Sequence, residues 1–242
     1  MANGFMGSIL RINLTAGSIS EEVIPEDKMR KYFGGVGLAT SYLYDEVAAG
    51  VDPLGAENKL IFMTGLLTGT ASASSARYSV VAKSPQTGIW GHGNSGGNFG
   101  PMLKRSGYDG IIFEGISPKP VYLEISDGKA ALKDAAHLWG KSVNETEAAV
   151  QKESGKKPVM ASIGQGGENL VRYAAIMNNT HRAVGRCGMG AVMGSKKLKA
   201  VVCSGRARIE LHDPDLFRTV SKKQIALLNE SMLKVGFEAF GT

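Results

Sequence analysis

The sequence predicts an α+β fold of two related halves, with mixed or antiparallel sheets and a pseudo-two-fold axis. Three observations carry this expectation. The first is a repeat: LIFMTG (60–65), ARYSVVAK (76–83) and NSGGNFGPMLKRSGYDGIIFEG (94–115) are answered by VMASIG (159–164), VRYAAIMN (171–178) and GRCGMGAVMGSKKLKAVVCSG (185–205). Arg77 matches Arg172, Tyr78 matches Tyr173 and Gly115 matches Gly205, at an offset of about 90–100 residues. Self-similarity at that spacing marks a duplicated unit. The second is the frequency of hairpin signals, too high for a doubly wound parallel sheet. The third is glycine, with 32 residues against 8 prolines, set among apolar runs where it serves turns and close backbone approach.

Each element follows in order. Residues 8–24 alternate apolar and polar around Thr15-Ala16-Gly17 and read as a hairpin. Pro25-Glu26-Asp27 opens a helix through Met29 and Phe33, stopped by Gly34-Gly35, and a second helix runs from Gly37 to Val47. LIFMTGLL is a short apolar run and hence a buried strand; RYSVVAKSP is another. The glycine-rich stretch WGHGNSGGNFG reads as a loop leading into a helix over Phe99 to Arg105, ended by Gly107. YDGIIFEG and KPVYLEISDG are strands, and Asp127-Gly128 closes a hairpin that matches the first one. A helix with Trp139, Val143 and Val150 follows, then the second copy of the strand and glycine segments. The halves span about 8–115 and 120–205 of an N-terminal domain covering residues 1–210. From 211 to 242 the character changes. Asp213 or Asp215 caps a helix whose apolar stripe (Leu216, Val220, Ile225, Leu228, Met232) wants a partner surface, so this reads as the start of a further helical domain.

Composition excludes several functions. At 242 residues and 43% hydrophobic content the chain buries a real core, and no apolar run reaches the roughly 20 residues of a membrane helix. The N-terminus lacks a secretory pattern, which makes a cytoplasmic location the expectation. A net charge of +6 with 22 interspersed acids does not form a nucleic-acid stripe, and the only dense basic run is Lys196, Lys197 and Lys199. Cys187 and Cys203 are too few for an iron–sulfur cluster or structural zinc held by this chain alone.

The chemistry points to anions. Glycines before a helix let a phosphate approach exposed N–H groups, and Arg182 and Arg186 in HRAVGRCGMGAVMG supply planar forks for bidentate recognition. Neither segment is a P-loop or a dinucleotide fingerprint. Arg77 lies among small residues where a bulky ligand fits, while Arg172 suits a surface salt bridge. His92 and His181 have no ligand partner at helical spacing and read as loop residues; His137 and Trp139 read as packing; Glu168 and Asn169 suit a cap or a ligand. No serine in 72–75 has a base beside it. The residues alone give a two-fold anion-binding module with no catalytic group.

Several ordered blocks carry a resemblance over residues 5–205: RINLTAGSI, VDPLGAENKLIFMTGLLTGT, SARYSVVAKSPQTG, NSGGNFGPMLKRSGYDGIIFEG, HLWGKSVNETE, ASIGQGGENLVRYAAIMN and HRAVGRCGMGAVMGSKKLKA. In these the chain resembles the N-terminal domain of the tungsten-containing aldehyde:ferredoxin oxidoreductases. That resemblance implies a saddle on which one tungsten rests, chelated by two pyranopterins whose phosphates are joined through magnesium. It implies magnesium contacts from Asn94 and the backbone carbonyl of Ala183. It further implies cofactor contacts from Arg77, Ser95, Gly96, Gly97, Arg182, Gly185 and Arg186, with Arg77 between a pterin and a [4Fe–4S] cluster. The intact enzyme would oxidise an aldehyde with water to a carboxylic acid and pass electrons to ferredoxin; a homodimer is left open. Cluster ligands and the presumed proton-transfer residues belong to later domains of that family, so this chain is expected to be a fragment and inactive alone. Alternatives are a separately encoded remainder, a stand-alone pterin-binding or assembly module, a structural protein that has lost its ligand, and a related tungsten enzyme acting on another substrate.

Overall fold

The computed structural model describes residues 3–155 and 157–241. The first half begins with the hairpin β1 (Ser8–Asn13) and β2 (Ser18–Val23), followed by α1 (Glu26–Tyr32) and α2 (Gly35–Glu46). Glu26 and Asp27 sit in the first turn of α1 and Arg30 and Lys31 in the last, where each sign meets the favourable end of the helix dipole. Phe33, left-handed at φ 55°, ends α1, so α2 begins at Gly35 rather than Gly37. The apolar run becomes β3 (Leu60–Thr64), buried throughout, and β4 (Tyr78–Lys83) pairs beside it. The stretch expected as a glycine loop is instead the edge strand β5 (Trp90–Ser95), followed by α3 (Phe99–Arg105) and β6 (Gly110–Glu114).

The second half repeats this order. β7 (Val121–Ser126) and β8 (Lys129–Asp134) turn through Asp127 and Gly128, both at positive φ as a two-residue hairpin demands. A 3-10 turn at Ala136–Leu138 places Trp139 before α4 (Val143–Ser154), not within it. Ser142 and Glu145 close a capping box at the start of α4, and Gly155 ends it. Then come β9 (Val159–Ser162), the single turn α5 (Gln165–Glu168), β10 (Ile176–Asn178), β11 (Arg182–Val184), α6 (Met189–Ser195) and β12 (Leu198–Ser204). Two helices follow, α7 (Pro214–Glu230) and α8 (Met232–Phe240).

The two sheets have the same topology. One runs β2-β1-β6-β3-β4-β5 and the other, read from its opposite edge, β8-β7-β12-β9-β10-β11. In each, one pair is parallel, β1 with β6 and β7 with β12, and every other pair is antiparallel. The duplication is therefore exact at the level of strand order, although the sequences have drifted.

Register corrects the sequence alignment of the halves. Phe62 pairs with Ile111 and with Val80; Ala161 holds the same place, opposite Val201 and Asn178. Val80 thus corresponds to Asn178 and Tyr78 to Ile176, not to Tyr173. Tyr173 is 73% exposed and Arg172 precedes the strand, whereas Tyr78 is buried. VRYAAIMN is a turn for its first half. The matching "RY" pairs are not symmetry mates.

One apolar core joins the halves. Leu10, Phe62, Val80 and Phe113 of the first sheet meet Leu123, Ala161 and Val201 of the second, with Phe99 and Leu103 of α3 and Met189 and Val192 of α6 in the same core. Alternate residues of the first sheet (Ile9, Ile61, Val81, Ile112) pack outward on Leu38, Tyr42 and Leu43 of α2. Tyr122, Met160 and Val202 pack with Leu138 and Val150 on the other side. Period-two alternation supplies both faces from each strand. Among the described residues no helix is long and apolar enough to cross a membrane.

Lysines of the presumed basic run are internal. Lys196 is fully buried and donates to the carbonyls of Asn58 and Gly115; Lys199 donates to Lys141 O and pairs with Glu168. Glu168 is thus neither a free cap nor a ligand group. Burial, helped by nearby Lys59, pushes Lys196 down to about 8 from its ordinary 10.5. Between those values the unfolded chain binds more protons, so this group's contribution to stability rises with pH. Above pH 9 buried Cys203, whose thiol burial pushes up, works the other way. Lys196→Met should therefore flatten the rise of unfolding free energy between pH 8 and 9 in denaturant titrations; an unchanged slope would refute the assignment.

Candidate functional site

The edge strands β5 and β11 come together where the two halves meet, and glycine makes this possible. A Cβ on Gly93 would lie 2.5 Å from Val184 Cγ1; one on Gly91 would lie 2.7 Å from Met189 Cε and 2.9 Å from Cys187 Cβ. These glycines serve packing between halves. On the other face of β5 stand Trp90, His92 and Asn94.

Asn94 pairs with Ser79, and Ala183 pairs with Met177. Since Val80 corresponds to Asn178, Ser79 corresponds to Met177, and Asn94 and Ala183 occupy equivalent positions. Both are exposed. The pseudo-two-fold axis thus relates two residues of unlike type that no sequence identity connects.

Around them lies an exposed, cationic surface. Arg77, just before β4, is exposed and donates Nη1–H to Asn94 Oδ1. Thr68 Oγ1 fixes the Arg77 carbonyl at 3.0 Å, anchoring the loop that carries it. Arg182, Gly185 and Arg186 are exposed, and none of the three arginines has a carboxylate within ion-pair distance among the described residues. Unneutralised guanidiniums at one surface attract a multiply charged anion. A Cβ on Gly96 would meet nothing within 4 Å, and one on Gly185 only Ala183 Cβ at 3.9 Å, so both positions are open. Gly97 is at φ +89° and lies against Asn179. Ser95 is buried and its hydroxyl donates to Asn178 Oδ1 at 2.7 Å, so its side chain faces inward.

The helix starts are not on this surface. Gly188, Met189 and Gly190 are buried, and Gly190 N donates to Ala174 O at 2.9 Å. Asn98 N donates to Asn179 Oδ1. The exposed backbone is the strand and loop leading to each helix rather than its first turn.

Three polar residues complete the site. Asn178 is buried at the seam: it accepts from Tyr78 OH (3.1 Å) and Ser95 and donates to Gly96 O (2.8 Å), tying both halves together. Sequence reasoning missed it; the only signal is a polar residue ending an apolar run. His92 has a buried Nε2 without a hydrogen-bond partner. Burial, and secondarily the Arg186 charge, holds it below the ordinary imidazole range and hence neutral. His181 bonds Thr180 in the turn between β10 and β11. His137 is at the surface bonding Glu153 at 2.7 Å, not in the core, because the 3-10 turn directs it outward. Arg172 has no carboxylate partner among the described residues, so the expected surface salt bridge is absent there. Cys187 and Cys203 are free thiols, and among the described residues no three His, Cys, Asp or Glu side chains gather to hold a metal.

This geometry has counterparts in known proteins. The family profile described as "Aldehyde ferredoxin oxidoreductase, N-terminal domain" matches residues 9–205. The tungsten-containing aldehyde ferredoxin oxidoreductase of Thermococcus kodakarensis is 49% identical over 241 residues, covering 99% of this chain and 40% of that protein. An aliphatic sulfonate oxidoreductase, WOR-like subunit, of Pyrococcus furiosus is 39% identical over 237 residues, covering 90% of this chain and 38% of the relative. Among solved structures, the active site complex BamBC of benzoyl coenzyme A reductase with 1,5-dienoyl-CoA superposes with a TM-score of 0.92 at 38% identity, covering 95% of this chain and 35% of that one. The chain spans about two fifths of the length of these curated relatives. It belongs to the aldehyde ferredoxin oxidoreductase family and corresponds to its N-terminal domain.

Proposed function

We propose that this domain is the cradle for a tungsten centre held by two pyranopterins, with magnesium joining their phosphates at Asn94 and Ala183. One observation carries the reading: the duplicated fold sets Asn94 and Ala183 at equivalent positions on two adjoining edge strands, a two-fold frame for a two-fold ligand. The residues present fit the group. Asn94 and a backbone carbonyl are neutral oxygen donors, which suit hard Mg²⁺. Gly96 and Gly185 leave room for close approach, and Arg182 and Arg186 are free to pair with phosphate.

When bound, the tungsten centre would supply two-electron chemistry, converting an aldehyde and water to a carboxylic acid. The chain's own residues would bind and orient. Arg77, held against Asn94, places a fixed positive charge beside the cofactor and favours its reduced, more negative forms. Neutral His92 adds no competing charge. In the assembled enzyme, electrons would leave through a [4Fe–4S] cluster to ferredoxin, with ligands supplied outside this chain.

A second reading concerns substrate. Relatives named for sulfonates and for benzoyl-CoA share this domain at 39% and 38% identity, which favours a substrate pocket set elsewhere. The parent enzyme would then differ in what it oxidises or reduces while keeping the same cradle.

The test is cofactor retention. A charge-assisted hydrogen bond contributes about 1.5–3 kcal/mol, so Arg182→Ala with Arg186→Ala should lower pterin and tungsten content of the assembled protein at least tenfold, measured by metal analysis and pterin fluorescence. Unchanged content would sink the assignment. The 242-residue chain alone should turn over no aldehyde with a viologen acceptor; any turnover contradicts the division of labour proposed here.

A further inference from the structure

A second cationic feature lies away from the edge strands. α7 and the segment leaving β12 bound a cleft of about 780 Å³. Arg105, Arg206, Arg208, Arg218 and Lys222 line it, and no Asp or Glu does. Only the Arg218 side chain has an ion-pair partner among the described residues, exposed Asp215 at 3.5 Å, while the Arg206 amide donates to Asp127 Oδ1 at 3.1 Å. Some exposed cations elsewhere are matched, as in Lys119–Asp134 and Lys133–Glu124, whereas this cluster, like the arginines at the edge strands, is not. Like charges gathered without a counter-charge repel one another until an anion supplies it.

Two further observations describe the occupant. Ser221 is the one buried residue of α7, 6% exposed, and lines this cleft. Ile209, Phe217 and Ile225 give the cleft an apolar floor, and Ile225 also lines an adjoining hollow of about 510 Å³ between α7 and α8. The basic cleft with its apolar side chains continues into a mainly apolar hollow lined by Leu228, Leu233 and Phe237, an extended surface that suits a polypeptide element. α7 and α8 leave Leu216, Val220, Met232, Leu233 and Phe240 more than half exposed. The curated relatives carry about three fifths of their length beyond what this chain spans.

We propose that the cleft seats an acidic, amphipathic segment of the polypeptide equivalent to that remaining portion. Its carboxylates meet Arg206 and Arg208, and its apolar side packs on Phe217 and Ile225. This rests on family membership and is independent of the pterin reading.

Zero-length carbodiimide cross-linking of the assembled protein, mapped by mass spectrometry, tests it. Lys222 should join to an Asp or Glu of that polypeptide, and the double variant R206E/R208E should lower the yield at least tenfold. Both side chains are exposed and form no ion pair among the described residues, and the one carboxylate contact, Arg206 N to Asp127 Oδ1 at 3.1 Å, is made by the backbone, so the fold of the two halves should keep its melting temperature. Three results overturn the proposal: links from Lys222 only to acids within residues 1–242 or to an unrelated protein, an unchanged yield in R206E/R208E, or acetylation of Lys222 as fast as exposed Lys129.

Discussion

Gly188→Ala is expected to destabilise the whole domain by about 3 kcal/mol or more, beyond ordinary overpacking. Two effects add. Gly188 is at φ +69°, where a side chain costs about 1 kcal/mol by itself. A Cβ there would lie 1.9 Å from Arg172 O and 2.9 Å from its carbonyl carbon. Backbone has to move, because no flexible side chain stands in the way. It cannot move far: Gly188 opens α6, which packs into the core shared by both sheets through Met189, Val192 and Met193. Gly185→Ala is the control, since its site is open and its φ is not left-handed. Thermal melts should show a large loss for the first and little change for the second. Similar melts for the two would mean that the loop before α6 yields freely, and the packing account would be wrong. Gly185→Ala in the assembled protein then reports on cofactor approach alone.

Asp109→Leu should be nearly as damaging, by about 3–5 kcal/mol, the usual result of stripping one partner from a buried ion pair. Asp109 and Lys104 are both fully buried, with Oδ1 and Nζ 3.6 Å apart. Asp109 Oδ2 accepts from the amides of Met6 and Gly7, each at 2.8 Å, so its loss also orphans two donors and frees the N-terminal segment. Lys104 keeps Gly65 O and Leu66 O as acceptors but no counter-charge. Burial already pushes Lys104 down to about 8. Without Asp109 it falls further, and because the unfolded lysine titrates near 10.5, the variant regains stability as pH rises from 7 toward 10. Lys104→Met combined with Asp109→Leu should be more stable than Asp109→Leu alone. If denaturant titrations show the double variant to be the weaker, the pair is not coupled.

Much of the fold is legible in the sequence because its signals are local. Asp127-Gly128 signals a tight hairpin, and LIFMT, apolar at its first four positions, is a strand buried on both faces. The glycine-rich segment misled for a physical reason. Glycines at 91 and 93 look like loop composition, but they are the alternate inward positions of a strand whose inner face is occupied by the other half of the molecule. A strand pressed that closely has no space for side chains, and composition alone does not distinguish it from a loop. The lysine run failed likewise: Lys196 and Lys199 find carbonyls and a carboxylate only through tertiary neighbours.

The site divides along the same line. Sequence by itself determined that the chain is duplicated, that its halves repeat a similar succession of segments, and that arginines accompany the glycine segments; each of these is written in residue type and spacing. It did not determine which residues are symmetry mates. Identity suggested Arg77 with Arg172 and Tyr78 with Tyr173, while strand register pairs Tyr78 with Ile176 and Asn94 with Ala183. Hydrogen-bonded register is set by the whole sheet, and a shift of a few residues in a turn leaves no mark on local composition. Only the tertiary structure decided that Asn94 and Ala183 share a position, that Ser95 turns inward to Asn178, and that the arginines remain outside, unpaired and facing solvent.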